Sequence, residues 1–140
     1  MRTLLVSGLA ALALAPLAHA GAPSACALVT ASDAGKALGG SAKGTAKTLG
    51  LYRSCTYKSG RKTLTVLVRQ IARADFEKSA KKNPGPVFPV PGVGDEAFSA
   101  GGGSTLLVWR KGTEITFTFI GLSATVQTQK DVANAAVKRL

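Results

Sequence analysis

The sequence predicts a single small α+β domain: an antiparallel sheet of about four to five strands, helices packed on one face of it, and one disulfide. Three observations predict this class. Thr63 to Ile71 and Glu114 to Ile120 alternate apolar and polar residues beside turn signals, the pattern of half-buried strands in hairpins. Apolar residues recur at helical spacing near 31–38, 72–82 and 124–140. The only two cysteines, Cys26 and Cys55, follow a segment that reads as an export leader.

The leader comprises residues 1–20. A basic start at Met1-Arg2 is followed by an apolar run of about 14 residues, Leu4 to Leu17, and by the small-residue cleavage site Ala18-His19-Ala20. Cleavage after Ala20 leaves one exported domain, 21–140, destined for the periplasm or the extracellular space. No later stretch approaches the roughly 20 apolar residues of a membrane helix, so a soluble mature chain is expected. In an oxidising compartment an isolated cysteine pair reads most simply as a disulfide, constraining the unfolded chain by about 3–4 kcal/mol in the loop-entropy model. The alternative, lipidation of Cys26, would leave Cys55 unpaired and places Pro23 where a lipobox carries an aliphatic residue.

The elements follow in order. Thr30-Ala-Ser-Asp33 has the form of a capping box and opens a two-turn helix over about 31–38, which Gly39-Gly40 ends. Residues 41–50, rich in Gly, Thr and Lys, read as a loop or weak edge strand. A strand over 51–58 places Cys55 and Tyr57 on one face, turns at Ser59-Gly60, and pairs with the strand 63–71. A helix over 72–82 has Phe76 and Ala80 four apart and lysines at its end, and Asn83-Pro-Gly-Pro86 stops it. The proline- and glycine-rich stretch 87–96 is an extended loop. A short strand at 97–100 precedes the hairpin 105–111 and 114–120, and a final helix over about 124–140 lies across the sheet.

Composition excludes much chemistry. His19, the only histidine, lies in the leader, so the mature chain lacks the commonest general base and every imidazole metal ligand. The adjacent carboxylates Asp95 and Glu96 point to opposite faces if strand geometry continues through them, which is poor for shared acid–base work. Gly92-Val-Gly94 lacks the third glycine of a nucleotide loop; its reading is structural, with the Asp95 carboxylate accepting backbone N–H groups. No catalytic, metal or cofactor-binding residue is assigned.

Charge is the remaining signal. The chain has 18 basic and 7 acidic residues; removing Arg2 leaves 17 against 7, a net of +10. The excess lies in the first half, with 12 basic and 2 acidic residues from Lys36 to Lys82 and 5 and 4 from Asn83 to Leu140. A candidate anion-binding face is therefore assembled from Lys43, Lys47, Arg53, Lys58, Arg61, Lys62, Arg69, Arg73, Lys78, Lys81 and Lys82. The competing reading is a charge bias that only solubilises. Tyr52, Tyr57 and Phe76 among these residues fit core aromatics beneath solvated lysines better than a nucleic-acid stacking surface, since aromatics make up 6% of the chain.

Several phrases together carry a resemblance: Cys26-Ala-Leu-Val-Thr-Ala-Ser-Asp-Ala-Gly-Lys-Ala-Leu-Gly39, Ser54-Cys55-Thr-Tyr57, Pro91-Gly-Val-Gly-Asp-Glu-Ala-Phe98 and the ending 131–140. The pattern resembles a domain family of unknown function common among actinobacterial secreted lipoproteins, without the lipobox. The resemblance implies a compact α+β domain with a Cys26–Cys55 link and no catalytic residues. The expected function is a non-enzymatic exported binding or accessory domain contacting anionic envelope polymers or lipid head groups. The alternatives are a carboxylate-dependent envelope hydrolase and an exported effector or inhibitor acting on a protein partner.

Overall fold

The structure, a computed structural model, describes residues 21–140; the leader expected at 1–20 lies outside the described residues. Seven strands form one antiparallel sheet: β1 (Lys43–Leu49), β2 (Tyr52–Ser59), β3 (Lys62–Gln70), β4 (Phe88–Pro89), β5 (Glu96–Ala100), β6 (Thr105–Arg110) and β7 (Thr113–Ile120). Their spatial order is β1-β2-β3-β7-β6-β5-β4. The sheet is thus two meanders, β1 to β3 and β4 to β7, joined where β3 pairs with β7. Four α-helices complete the fold: α1 (Ala25–Leu28), α2 (Ala31–Leu38), α3 (Arg73–Lys81) and α4 (Val126–Val137).

This corrects the expectation of four to five strands. The two strands beyond that count are the two edges. β1 shows no apolar alternation because nearly all of it is exposed on both faces, and β4 is two residues long and contains Pro89. Edge strands that are short, lysine-bearing or proline-bearing resist pairing with other chains, and the same devices hide them from periodicity.

The expectation that all helices share one face is also corrected. On one face of the sheet, Cys55, Tyr57, Leu64, Val66, Val68, Leu106, Val108, Ile115 and Phe117 pack into the main core with Leu28 and Val29, with Ala34 and Leu38 of α2, and with Val132, Ala133 and Ala136 of α4. α3 lies on the other face. Its Phe76 forms a second cluster with Leu107 and Ala100, flanked by Ile71, Val87, Phe98 and Trp109. Phe76 and Phe98 stack with ring centroids 5.8 Å apart. The reason is connectivity: α3 must carry the chain from β3, in the middle of the sheet, to β4 at its far edge, and the first face is already filled.

Local chemistry sets the helix ends. The Thr30 hydroxyl accepts the Asp33 N–H at 3.2 Å while the Asp33 carboxylate accepts the Thr30 N–H at 3.0 Å, a complete capping box. Gly39 closes α2 in the left-handed region at φ 70°. Burial raises the pKa of the Asp33 carboxyl, but the Thr30 N–H and hydroxyl and the Arg139 guanidinium, 2.7 Å away, outweigh it and hold the group below its usual value. α1 is stapled to β2 by the Cys26–Cys55 disulfide, the pairing expected from the sequence.

Beside the disulfide, the buried Tyr57 hydroxyl donates to the Val29 carbonyl and ties the sheet to the turn between α1 and α2. Burial, reinforced by the nearby Asp33 charge, pushes the Tyr57 pKa up from 10.0 to about 12. The native state therefore keeps a proton that the unfolded chain releases between those values.

Two outcomes test this architecture. Phe76→Ala should lower unfolding stability by about 3–5 kcal/mol, because it empties the second cluster; a loss near zero in urea unfolding would mean that α3 does not pack there. For Tyr57, the stabilisation is complete below pH 10 and should decline as pH rises toward 12, then level off. Tyr57→Phe should lose about 1–3 kcal/mol at neutral pH, from the unpaired Val29 carbonyl, and should lack that alkaline decline when urea unfolding is repeated across the window.

Candidate anion-binding face

The strand register sorts the basic residues. On β1, Lys43, Thr45, Lys47 and Leu49 share one face; they lie opposite Lys58, Thr56, Ser54 and Tyr52 of β2. The next strand continues the rows with Thr63, Thr65, Leu67 and Arg69. This is the sheet face that carries α3, but α3 covers only the β5–β6 half. The β1–β2–β3 half is open, and Lys43, Thr45, Lys47, Leu49, Ser54, Thr56, Lys58 and Thr65 line a shallow groove of about 480 Å³ on it.

Three features define this groove. Lys43, Lys47 and Lys58 are exposed, and among the described residues none has a carboxylate within ion-pair distance. Lys43 and Lys58 sit directly opposite each other, a destabilising like-charge cross-strand pair. Between the lysines runs a row of threonines across five neighbouring strands: Thr45, Thr56, Thr65, Thr118 and Thr105 in successive register. Their β-branched side chains suit the pleat and put a line of hydroxyls at the surface. From Lys43 to Gln70 there is no Asp or Glu at all.

The other candidates lie elsewhere. Arg53 points to the opposite face of β2, in the row of Thr48 and Val68, beside a cleft lined by Ser24 and Ala25. Lys62 donates to the Leu38 carbonyl at 3.1 Å, capping the negative end of α2. Arg61 lies in the turn between β2 and β3. Arg73 donates to Glu96 at 3.0 Å and pairs with Glu77 at 3.2 Å, and the hydrogen bond to Glu96, with that carboxylate's charge, raises the Arg73 pKa. Lys78 lies 3.6 Å from Asp75, and Lys81 and Lys82 are exposed at the end of α3. The eleven residues thus do not form one face; three of them share the open groove.

Arg69 is the most changed of the set. It reaches Glu114 with both Nε (2.9 Å) and Nη2 (2.7 Å), donates to Ser79 Oγ of α3 at 3.0 Å, and lies 4.8 Å over the Tyr52 ring. Glu114 is 2% exposed and its other oxygen accepts the Thr116 hydroxyl. This network bonds β3, β7 and α3 together. The sequence hint is Glu114 itself, a charge at the start of an otherwise apolar–threonine alternation.

The adjacent carboxylates are both engaged. Asp95 accepts Arg110 Nη1 at 3.1 Å and the Lys111 N–H at 3.2 Å, pinning the tight β6–β7 turn in which Lys111 takes φ 47°. Glu96 is held by Arg73. Gly94 packs against β6: a Cβ there would lie 2.7 Å from Val108 Cγ1 and 2.8 Å from the Trp109 carbonyl oxygen. The Gly92-Val-Gly94-Asp95 phrase thus builds a loop whose Val93 enters the core. Among the described residues no group of three or more metal-ligating side chains clusters, and no helix is long and apolar enough to cross a membrane. No family model, curated protein or solved structure matches the chain.

Glu114→Ala should cost about 3–5 kcal/mol, since it strands a largely buried guanidinium. Lys58→Ala, on the open groove, should change stability by less than about 0.5 kcal/mol. Equal effects in thermal or urea unfolding would contradict the division of Arg69 from the groove lysines.

Proposed function

We propose that this chain is an exported, non-enzymatic binding domain that engages an anionic component of the cell envelope through the open β1–β2–β3 half of its sheet. One observation carries the reading: Lys43, Lys47 and Lys58 share an uncovered face with a row of hydroxyls and no carboxylate. An anion seated there relieves the Lys43–Lys58 repulsion and meets hydroxyl donors without displacing any internal ion pair. The local excess of positive charge steers such a partner from a distance, an effect that salt screens within about 10 Å at 0.1 M.

Export is supported by the leader-like 1–20 segment and by the formed disulfide. The engagement of Asp95 by Arg110 and of Glu96 by Arg73 weighs against a hydrolase built on that pair.

The test compares two charge-matched variants against soluble polyphosphate. Reversing Lys43, Lys47 and Lys58 to Glu should weaken binding by about tenfold or more, on the basis of roughly 1 kcal/mol per lysine near an anionic surface. Reversing Lys81, Lys82 and Lys138 to Glu should weaken it by less than about threefold, and wild-type affinity should fall steeply as salt rises. Equal losses in the two variants, or affinity that stays flat with salt, would sink the reading.

A further inference from the structure

The open face also carries hydrophobic side chains that the fold does not use. Leu49 and Leu51, at the tip of the β1–β2 hairpin, are 52% and 85% exposed, and Ile120, at the other end of the face, is 58% exposed. Leu49 shares the lysine-bearing face by strand parity, two residues from Lys47. Leu51 occupies the two-residue turn after Gly50, whose φ of 59° makes the tight reversal; a polar residue would serve that turn at least as well. Ile120 lies opposite Thr63, in the row continued by Lys58 and Lys43. The face therefore reads, from end to end, as leucines, then Lys47, then the threonine row, then the Lys43–Lys58 pair in one row with Ile120.

We propose that the occupant of this face is an anionic lipid bilayer, with the lysines and threonines against phosphate head groups and Leu49, Leu51 and Ile120 dipping into the acyl boundary. The inference rests on the anion-binding reading and narrows it to a lipid surface. A soluble glycopolymer would satisfy Lys43, Lys47 and Lys58 but leave three large apolar side chains in water. A bilayer interface satisfies both classes, since interfacial binding combines buried apolar area with attraction to anionic lipid. Strand geometry fixes the orientation. Lys43 lies six residues from Leu49, about 20 Å along the strand. A hairpin inserted end-on would hold Lys43 and Lys58 beyond a Debye length from the head groups. The sheet must instead lie face-on, which brings all three lysines and both apolar ends to one plane.

The experiment measures binding to phosphatidylglycerol vesicles, to phosphatidylcholine vesicles and to soluble polyphosphate in parallel. Wild type should prefer the anionic vesicles by about tenfold or more. Leu49→Ser/Leu51→Ser should weaken vesicle binding by about tenfold while polyphosphate binding is unchanged. A Leu51→Trp variant should show a blue-shifted emission component with anionic vesicles and none with polyphosphate. If the serine variant binds vesicles as well as wild type, or the tryptophan emission does not shift, the bilayer inference fails while the anion-binding reading stands. If Lys43→Glu/Lys47→Glu/Lys58→Glu binds all three probes as wild type does, the underlying reading fails too.

Discussion

The pairing of β3 with β7 is the contact on which the rest of the molecule depends. Each strand ends its own meander, and among the described residues their eight-residue register from Thr63 to Gln70 is the one ladder joining strands distant in sequence. It aligns Leu64, Val66 and Val68 with Phe119, Phe117 and Ile115, so the middle of the main core is made at this joint. On the opposite face the same register sets Arg69 beside Glu114, where a buried ion pair is compensated by Ser79, Thr116 and the Tyr52 ring. A one-residue slip would turn every one of these side chains to the wrong face.

From that joint the asymmetry of the sheet follows. α1, α2 and α4 fill one face, drawn together by the disulfide, by the Tyr57 hydroxyl on Val29 and by Arg139, which bonds both Leu28 and Asp33. On the second face α3 spans only the route from β3 to β4, and the Arg69–Ser79 bond anchors it at the boundary. What remains on the β1–β2–β3 side has no apolar layer to cover: Ser, Thr and Lys alternate with the buried residues of the other face. An open, cationic half-sheet is thus a consequence of how the chain crosses, and its bordering leucines are the part that packing does not explain.

Much of this was legible in the residues. The capping box at Thr30 and Asp33, the alternation in β3 and β7, and the shared face of Cys55 and Tyr57 each express a local period or a local bond. The edge strands were poorly legible: β1 reads only as a loop or weak edge strand because it is solvated on both faces, and β4 reads as loop because it is too short to show a period. The side on which α3 packs was written only indirectly. β6 reads Leu106-Leu107-Val108-Trp109, a continuous apolar run that fits a strand covered on both faces, and the alternation in its neighbours masks that signal. The basic face was visible as a count but not as a geometry. Register turns Arg53 and Lys62 away from Lys43, Lys47 and Lys58, the pairing with Glu114 and Glu96 takes Arg69 and Arg73 out of play, and register lines up Thr45, Thr56, Thr65, Thr118 and Thr105.

The most direct measurement is a map of backbone amide shifts as anionic lipid nanodiscs are added to isotope-labelled protein. The open half-sheet as the working surface predicts perturbations concentrated in β1, β2 and β3, strongest at the Leu49–Tyr52 tip and at Ile120, with α2 and α4 unchanged. Perturbations centred on the α2–α4 side, or spread evenly over all exposed lysines, would contradict it.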